Sequence, residues 1–104
     1  VEHPDFDREV AIVRLRAPEV GEVLARQVAA AVAGLRQLAL YKPPGVAETI
    51  DWAAALGRLG VSQLDEPAVA ASLGTVLKYR EDTERVQEHG FADVVKAALA
   101  RAGR

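Results

Sequence analysis

Apolar side chains recur along this chain at steps of three and four, in blocks separated by proline, glycine or acidic turn signals. That periodicity predicts amphipathic helices and no convincing strand. Phe6, Val10 and Val13 define one face of a first helix from about Asp5 to Leu15, widened by Ile12. His3-Pro4-Asp5 starts it: Asp5 can cap, and Asp7 and Glu9 stand in the first turn, where the helix dipole favours negative charge. Pro18 breaks the chain. A second helix from about Gly21 to Leu38 carries Leu24, Val28, Ala31, Val32, Leu35 and Leu38 as a clean stripe. A third begins near Val46 and ends near Leu59, with Ile50, Trp52, Ala53, Leu56 and Leu59 on a broad apolar face and Gly60 as its left-handed stop.

Asp65-Glu66-Pro67 places cap, acid and early proline in the order that starts a helix. Val69, Leu73, Val76 and Leu77 continue this fourth helix. It is expected to run on through Lys78-Tyr79-Arg80-Glu81-Asp82-Thr83-Glu84-Arg85 as a charged, solvated face and to end at Gly90. A last helix from Phe91 to Arg101 carries Phe91, Val94, Val95, Ala98 and Leu99. The segment 91–102 is expected to be the more peripheral one. Helices with one apolar face and short connections bury those faces only against each other. The expected fold is therefore all-α: a compact bundle of about four to five helices forming a single domain over 1–104.

Composition sharpens this picture. Half of the 104 residues are apolar but only 5% are aromatic, so Ala, Val and Leu must build a closely packed helical core. Thirteen basic against fifteen acidic residues leave a net charge of −2, which gives no support to a nucleic-acid surface. Ten of the thirteen bases are Arg, spread along the chain, as a GC-rich coding bias would produce. Cysteine is absent, which excludes disulfides and thiolate chemistry. No stretch approaches the roughly 18 unbroken apolar residues of a membrane span, and no signal peptide is visible; a cytoplasmic location is expected. Methionine is absent too, so the chain is expected to be a piece of something longer.

Catalytic constellations are missing. The two histidines, His3 and His89, stand near opposite ends without a second His at helical spacing, which is poor material for a metal site. There is no GxxxxGK[ST], no GxGxxG and no GxSxG. Asp65/Glu66 and Glu81/Asp82 read as a helix start and a solvated face, not as acid/base pairs. The chain alone is not expected to be an enzyme. Two places invite binding. Tyr41-Lys42-Pro43-Pro44-Gly45 is a rigid junction that either fixes an interhelical angle or aims a helix N-terminus at an anion. Glu48 and Asp51 partly neutralise that end, and Lys42 is the one nearby cation. Trp52 is most simply a core anchor, its alternative being a packing surface for a partner. Tyr41 and Tyr79 have apolar bodies and polar tips suited to a rim, and the mixed charge at Lys78-Tyr79-Arg80-Glu81-Asp82 is either plain solvated surface or a pairing surface for a neighbouring subunit.

Four segments, taken in order, resemble the C-terminal helical lid of bacterial MoxR-type AAA+ ATPases. His3-Pro4-Asp5-Phe6-Asp7-Arg8-Glu9-Val10 is similar to the start of the lid. Arg16-Ala17-Pro18-Glu19-Val20, followed by a helix ending in Gly34-Leu35-Arg36, is similar to its second helix. Lys42-Pro43-Pro44-Gly45-Val46-Ala47-Glu48-Thr49-Ile50-Asp51-Trp52-Ala53 is similar to the third-helix start in the CoxD-like branch, tied to carbon monoxide dehydrogenase maturation. Leu73-Gly74-Thr75-Val76-Leu77-Lys78-Tyr79-Arg80-Glu81-Asp82 completes the pattern, so that the likeness spans about Pro4 to Val86.

The resemblance implies a ring-forming, usually hexameric ATPase with a chaperone-like role in metalloenzyme maturation. This chain would be its nucleotide-sensing cap. ATP and magnesium would belong to the full-length protein, whose Walker motifs would lie upstream. Partners would be the AAA+ core domain, neighbouring subunits and a von Willebrand factor A domain protein, with no nucleic acid and no membrane. Lys42, Gly45, Val46, Ala47 and Glu48 would face the nucleotide, and Tyr41, Lys78, Tyr79 and Arg80 would contact another domain or subunit. One departure stands out. The sensor 2 arginine that many such lids carry falls by position at Ala47 or Glu48, neither of them basic. A stand-alone helical interaction module, with an apolar patch around Tyr41 and Trp52, is the alternative. A helix-turn-helix DNA binder is disfavoured by the absence of a basic recognition helix.

Overall fold

The computed structural model describes residues 5–103; His3 and Pro4, and with them part of the first helix start, lie outside them. Six helices and no strand are present among the described residues: α1 (Phe6–Arg16), α2 (Glu22–Leu35), α3 (Val46–Arg58), α4 (Glu66–Val76), α5 (Arg80–His89) and α6 (Phe91–Ala102). The starts obey local chemistry. Asp5 Oδ1 accepts from the Arg8 amide at 2.9 Å, and Asp65 Oδ1 from the Ala68 amide at 2.8 Å, each supplying an acceptor that the first helical turn lacks. Gly60 stops α3 with φ of +78°, a backbone region that glycine enters without a Cβ clash.

Helix α2 is the axle of the bundle. The predicted stripe understates it: Leu24, Ala25, Gln27, Val28, Ala29, Ala30, Ala31, Val32 and Leu35 are all buried, because α1, α3 and α6 cover it from several sides. Alanine at 29, 30 and 31 makes such coverage possible, since small side chains let neighbouring backbones approach. The helix ends at Leu35, three residues before the predicted end, and Leu38 packs on the core from the following turn. Gln27, a polar residue inside this apolar helix, accepts the Leu64 amide at 2.6 Å and so ties the α3–α4 connection to the centre. Trp52 is fully buried between α3 and α4; its indole N–H donates to Ser72 Oγ at 2.7 Å, and the Ser72 hydroxyl donates to the Ala68 carbonyl at 2.6 Å. It is a core anchor with its one polar atom satisfied. Leu59, expected on the apolar face of α3, is 62% exposed because the helix has already turned into its stop.

The predicted long fourth helix is two helices. Leu77 and Tyr79 have extended backbones (φ −109°, ψ 136° and φ −115°, ψ 139°), and α5 starts afresh at Arg80. The reason is phase. A continuous helix carrying Leu73 and Val76 inward would next bring Arg80 and Glu84 inward. The extended break resets the register, so that Asp82 and Val86 face the interior instead. Asp82 is therefore not part of a solvated face: it is 1% exposed. Helix α6, expected to be the more peripheral, lies along α2 and buries Val94 and Ala98 there, with Gly90 (φ +105°) making the sharp turn from α5.

Candidate functional site

The segment 36–49 is the polar centre of the molecule. Its prolines fix φ at two consecutive positions and remove two donors, and the remaining backbone donors from Leu40 to Gly45 all have partners. The Leu40 amide donates to the Leu38 carbonyl at 2.9 Å. The Tyr41 and Lys42 amides donate to Asp82 Oδ1 and Oδ2 at 2.7 and 3.0 Å. The Gly45 amide donates to Glu48 Oε1 at 2.8 Å. Glu48 thus supplies the carboxylate half of a capping box, while glycine has no side chain to supply the other half. A Cβ at Gly45 would come within 3.1 Å of that carboxylate oxygen, so the residue also leaves room for the cap.

A second buried acid holds the junction from the opposite side. Glu9, 2% exposed on α1, receives Arg36 Nη1 and Nη2 at 2.8 Å each, a fork-on-carboxylate pair. Arg36 Nε donates to the Pro44 carbonyl at 2.7 Å. The Thr49 hydroxyl lies 2.8 Å from Glu9 Oε2 and 3.0 Å from the Gly45 carbonyl. Its single proton serves one of them, and the charged carboxylate at the shorter distance is the stronger acceptor. One arginine therefore joins α1, the end of α2 and the start of α3.

The structure gathers the sequence-selected residues into two neighbouring edges. Gly45, Val46, Ala47 and Glu48 form the start of α3, with Ala47 exposed and Glu48 committed to Gly45. Lys42 is exposed just before them, its backbone pinned by Asp82. Tyr41 and Tyr79 meet edge to face, ring centroids 6.2 Å apart and planes at 66°, and exposed Lys78 and Arg80 flank Tyr79 in sequence. Trp52 does not join this surface; it is buried in the core. Glu9, Arg36, Thr49 and Asp82 are the residues that hold the site together, and none was singled out as such from sequence. His89 is exposed, His3 lies outside the described residues, and no group of three or more His, Asp or Glu able to hold a metal occurs among the described residues. No helix among them is long and apolar enough to cross a membrane.

Comparison with protein-family models, curated proteins and solved structures finds no match for this chain.

Proposed function

We propose that this chain is the helical lid of a MoxR-type AAA+ ATPase, a regulatory cap with a chaperone-like role in metalloenzyme maturation. The ordered likeness of its four segments motivates the assignment. The observation that carries it is the locked junction: Glu9, Arg36 and Asp82 fix the direction of α3 relative to α1, α2 and α5. A lid that reports nucleotide state by changing its angle to a core domain has to move as one stiff body. A junction whose backbone donors from Leu40 to Gly45 are all tied suits that role.

The start of α3 is a poor fit for direct contact with the terminal phosphate of ATP. Ala47 brings no charge, Glu48 brings a negative one, and the Gly45 amide is already engaged. Lys42, exposed just before this helix start, is a cation suited to an anion. In this proposal the nucleotide is bound mainly by the core domain, and this chain contributes Lys42 and its rigidity. Partners are the core domain and neighbouring subunits of a ring, in the cytoplasm.

The coding sequence upstream of Val1 tests the assignment. An in-frame GxxxxGK[ST] followed by a Walker B acid is expected, and the full-length protein carrying Lys42→Ala should hydrolyse ATP more slowly than the parent. A start codon directly before Val1, with no such motif, overturns it. A stand-alone interaction module is the second reading, favoured by the exposed Tyr41–Tyr79 pair.

A further inference from the structure

Two of the five aromatic side chains in this protein stand in solvent and touch each other. Tyr41 is 78% and Tyr79 49% exposed. Their backbones are not free to turn the rings inward. The Tyr41 amide is bound to the buried Asp82 at 2.7 Å, and the Tyr79 carbonyl accepts the Asp82 and Thr83 amides at 3.1 and 3.2 Å. Asp82 thus holds both ring-bearing segments, Tyr41 through its buried carboxylate and Tyr79 through its backbone amide, so the two backbones are fixed before any partner arrives. A surface depression is lined by Tyr41, Tyr79 and Glu81 alone. Glu81 forms no ion pair among the described residues, although Arg85 stands one helical turn further on. It opens beside a second depression whose walls include Tyr41, Glu81, Asp82 and Arg85.

We infer that the Tyr41–Tyr79–Glu81 depression receives an arginine side chain from a partner protein. An exposed tyrosine ring, with its negative face, beside a carboxylate that forms no ion pair among the described residues makes a receptor for a cation. A planar guanidinium suits it better than an ammonium, because it stacks on a ring while its edge hydrogen-bonds a carboxylate. The surroundings narrow the partner further. Lys42, Lys78 and Arg80 are exposed and adjoin the two tyrosines in sequence, while the depression itself contains no base. That basic fringe repels a polybasic segment and attracts acids. The fitting occupant is a segment with a single arginine set among acidic residues. The site stands whether or not the chain is a lid, since nothing in it depends on nucleotide.

The test is a titration of the whole chain, followed by NMR of the tyrosine rings, with the blocked peptide Glu-Gly-Arg-Gly-Glu. The buried Trp52 indole N–H signal serves as a reference for an unchanged fold. Saturable shifts of the Tyr41 and Tyr79 rings below about 50 mM peptide are expected for so small a ligand. The same peptide with citrulline in place of arginine should bind roughly tenfold more weakly or not at all. Tyr79→Ala and Glu81→Gln should each weaken binding about fivefold, and Tyr79→Phe, which keeps the ring, should leave it nearly unchanged. Ring signals that stay put, or that move equally with citrulline, overturn the site. Tighter binding of hexa-arginine than of the acid-flanked peptide overturns the stated partner.

Discussion

Two buried carboxylates grip the same junction from opposite sides, and they do so by different means. Glu9 is met by a guanidinium and a hydroxyl, all from side chains. Asp82 is met by two backbone amides that nearby prolines leave with few alternatives. The first arrangement stores its strength in complementary charge, so that either partner alone is a liability. The second stores it in satisfied main-chain donors. Losing an acid there frees two neutral groups that water can reach at the edge of the molecule. Each acid joins elements distant in sequence, yet the damage on losing a partner should differ in size and in reach.

Arg36→Ala separates the two most clearly. It leaves Glu9 charged, buried and held by one hydroxyl, and also frees the Pro44 carbonyl. A loss of about 3–5 kcal/mol is expected in chemical denaturation, with NMR shifts spreading through α1 and the start of α3. A loss under about 1 kcal/mol would mean that water reaches Glu9 and that the pair is ordinary surface. Asp82→Ala comes next, at about 1.5–3 kcal/mol for two hydrogen bonds to a charged acceptor exchanged for bonds to water. Its disturbance should stay within residues 40–42 and α5. Spread into α1 would dissolve the distinction between the two grips.

Smaller changes refine the comparison. Thr49→Val keeps the side-chain shape and removes the hydroxyl that Glu9 Oε2 accepts, for about 1 kcal/mol. The arginine fork should stay in place, observable as an unchanged Arg36 Nε–H signal. Glu48→Ala removes the acceptor of the Gly45 amide and should cost about 0.5–1 kcal/mol, the scale of a helix cap. If Glu48→Ala instead equals Arg36→Ala, the start of α3 is held by its own cap, and the Glu9 side is secondary.

The helices themselves were legible in the sequence, because apolar spacing and cap chemistry are local. Asp5 and Asp65 cap where their positions indicate, and Gly60 stops α3 as its place after Leu59 suggests. Trp52 proved to be the anchor that its apolar surroundings predicted. What escaped was non-local. Asp82 lies in a run of eight charged or hydroxyl-bearing residues, Lys78 to Arg85, and looks solvated until the break after Leu77 is recognised. The signal was present: continuing the phase of Leu73 and Val76 would have buried Arg80 and Glu84. Glu9 also left a trace, standing one turn before Val13 and so on the buried side of α1. Its partner Arg36 is 27 residues away, beyond any periodicity. The centrality of α2 was likewise hidden, because alanine reads as neutral until neighbours are seen to close on it.

The pinning of Tyr41 and Lys42 by Asp82 has a consequence for time as well as for shape. Loop amides ordinarily trade hydrogen for deuterium quickly, as local fluctuations lift them into water. Here both amides are sealed by an acid on another helix, and the two positions after them carry no amide at all. Their exchange is expected to follow the release of Asp82, which a detachment of α5 brings about. Two labels in a turn between α2 and α3 therefore clock the opening of a helix 40 residues away in the chain.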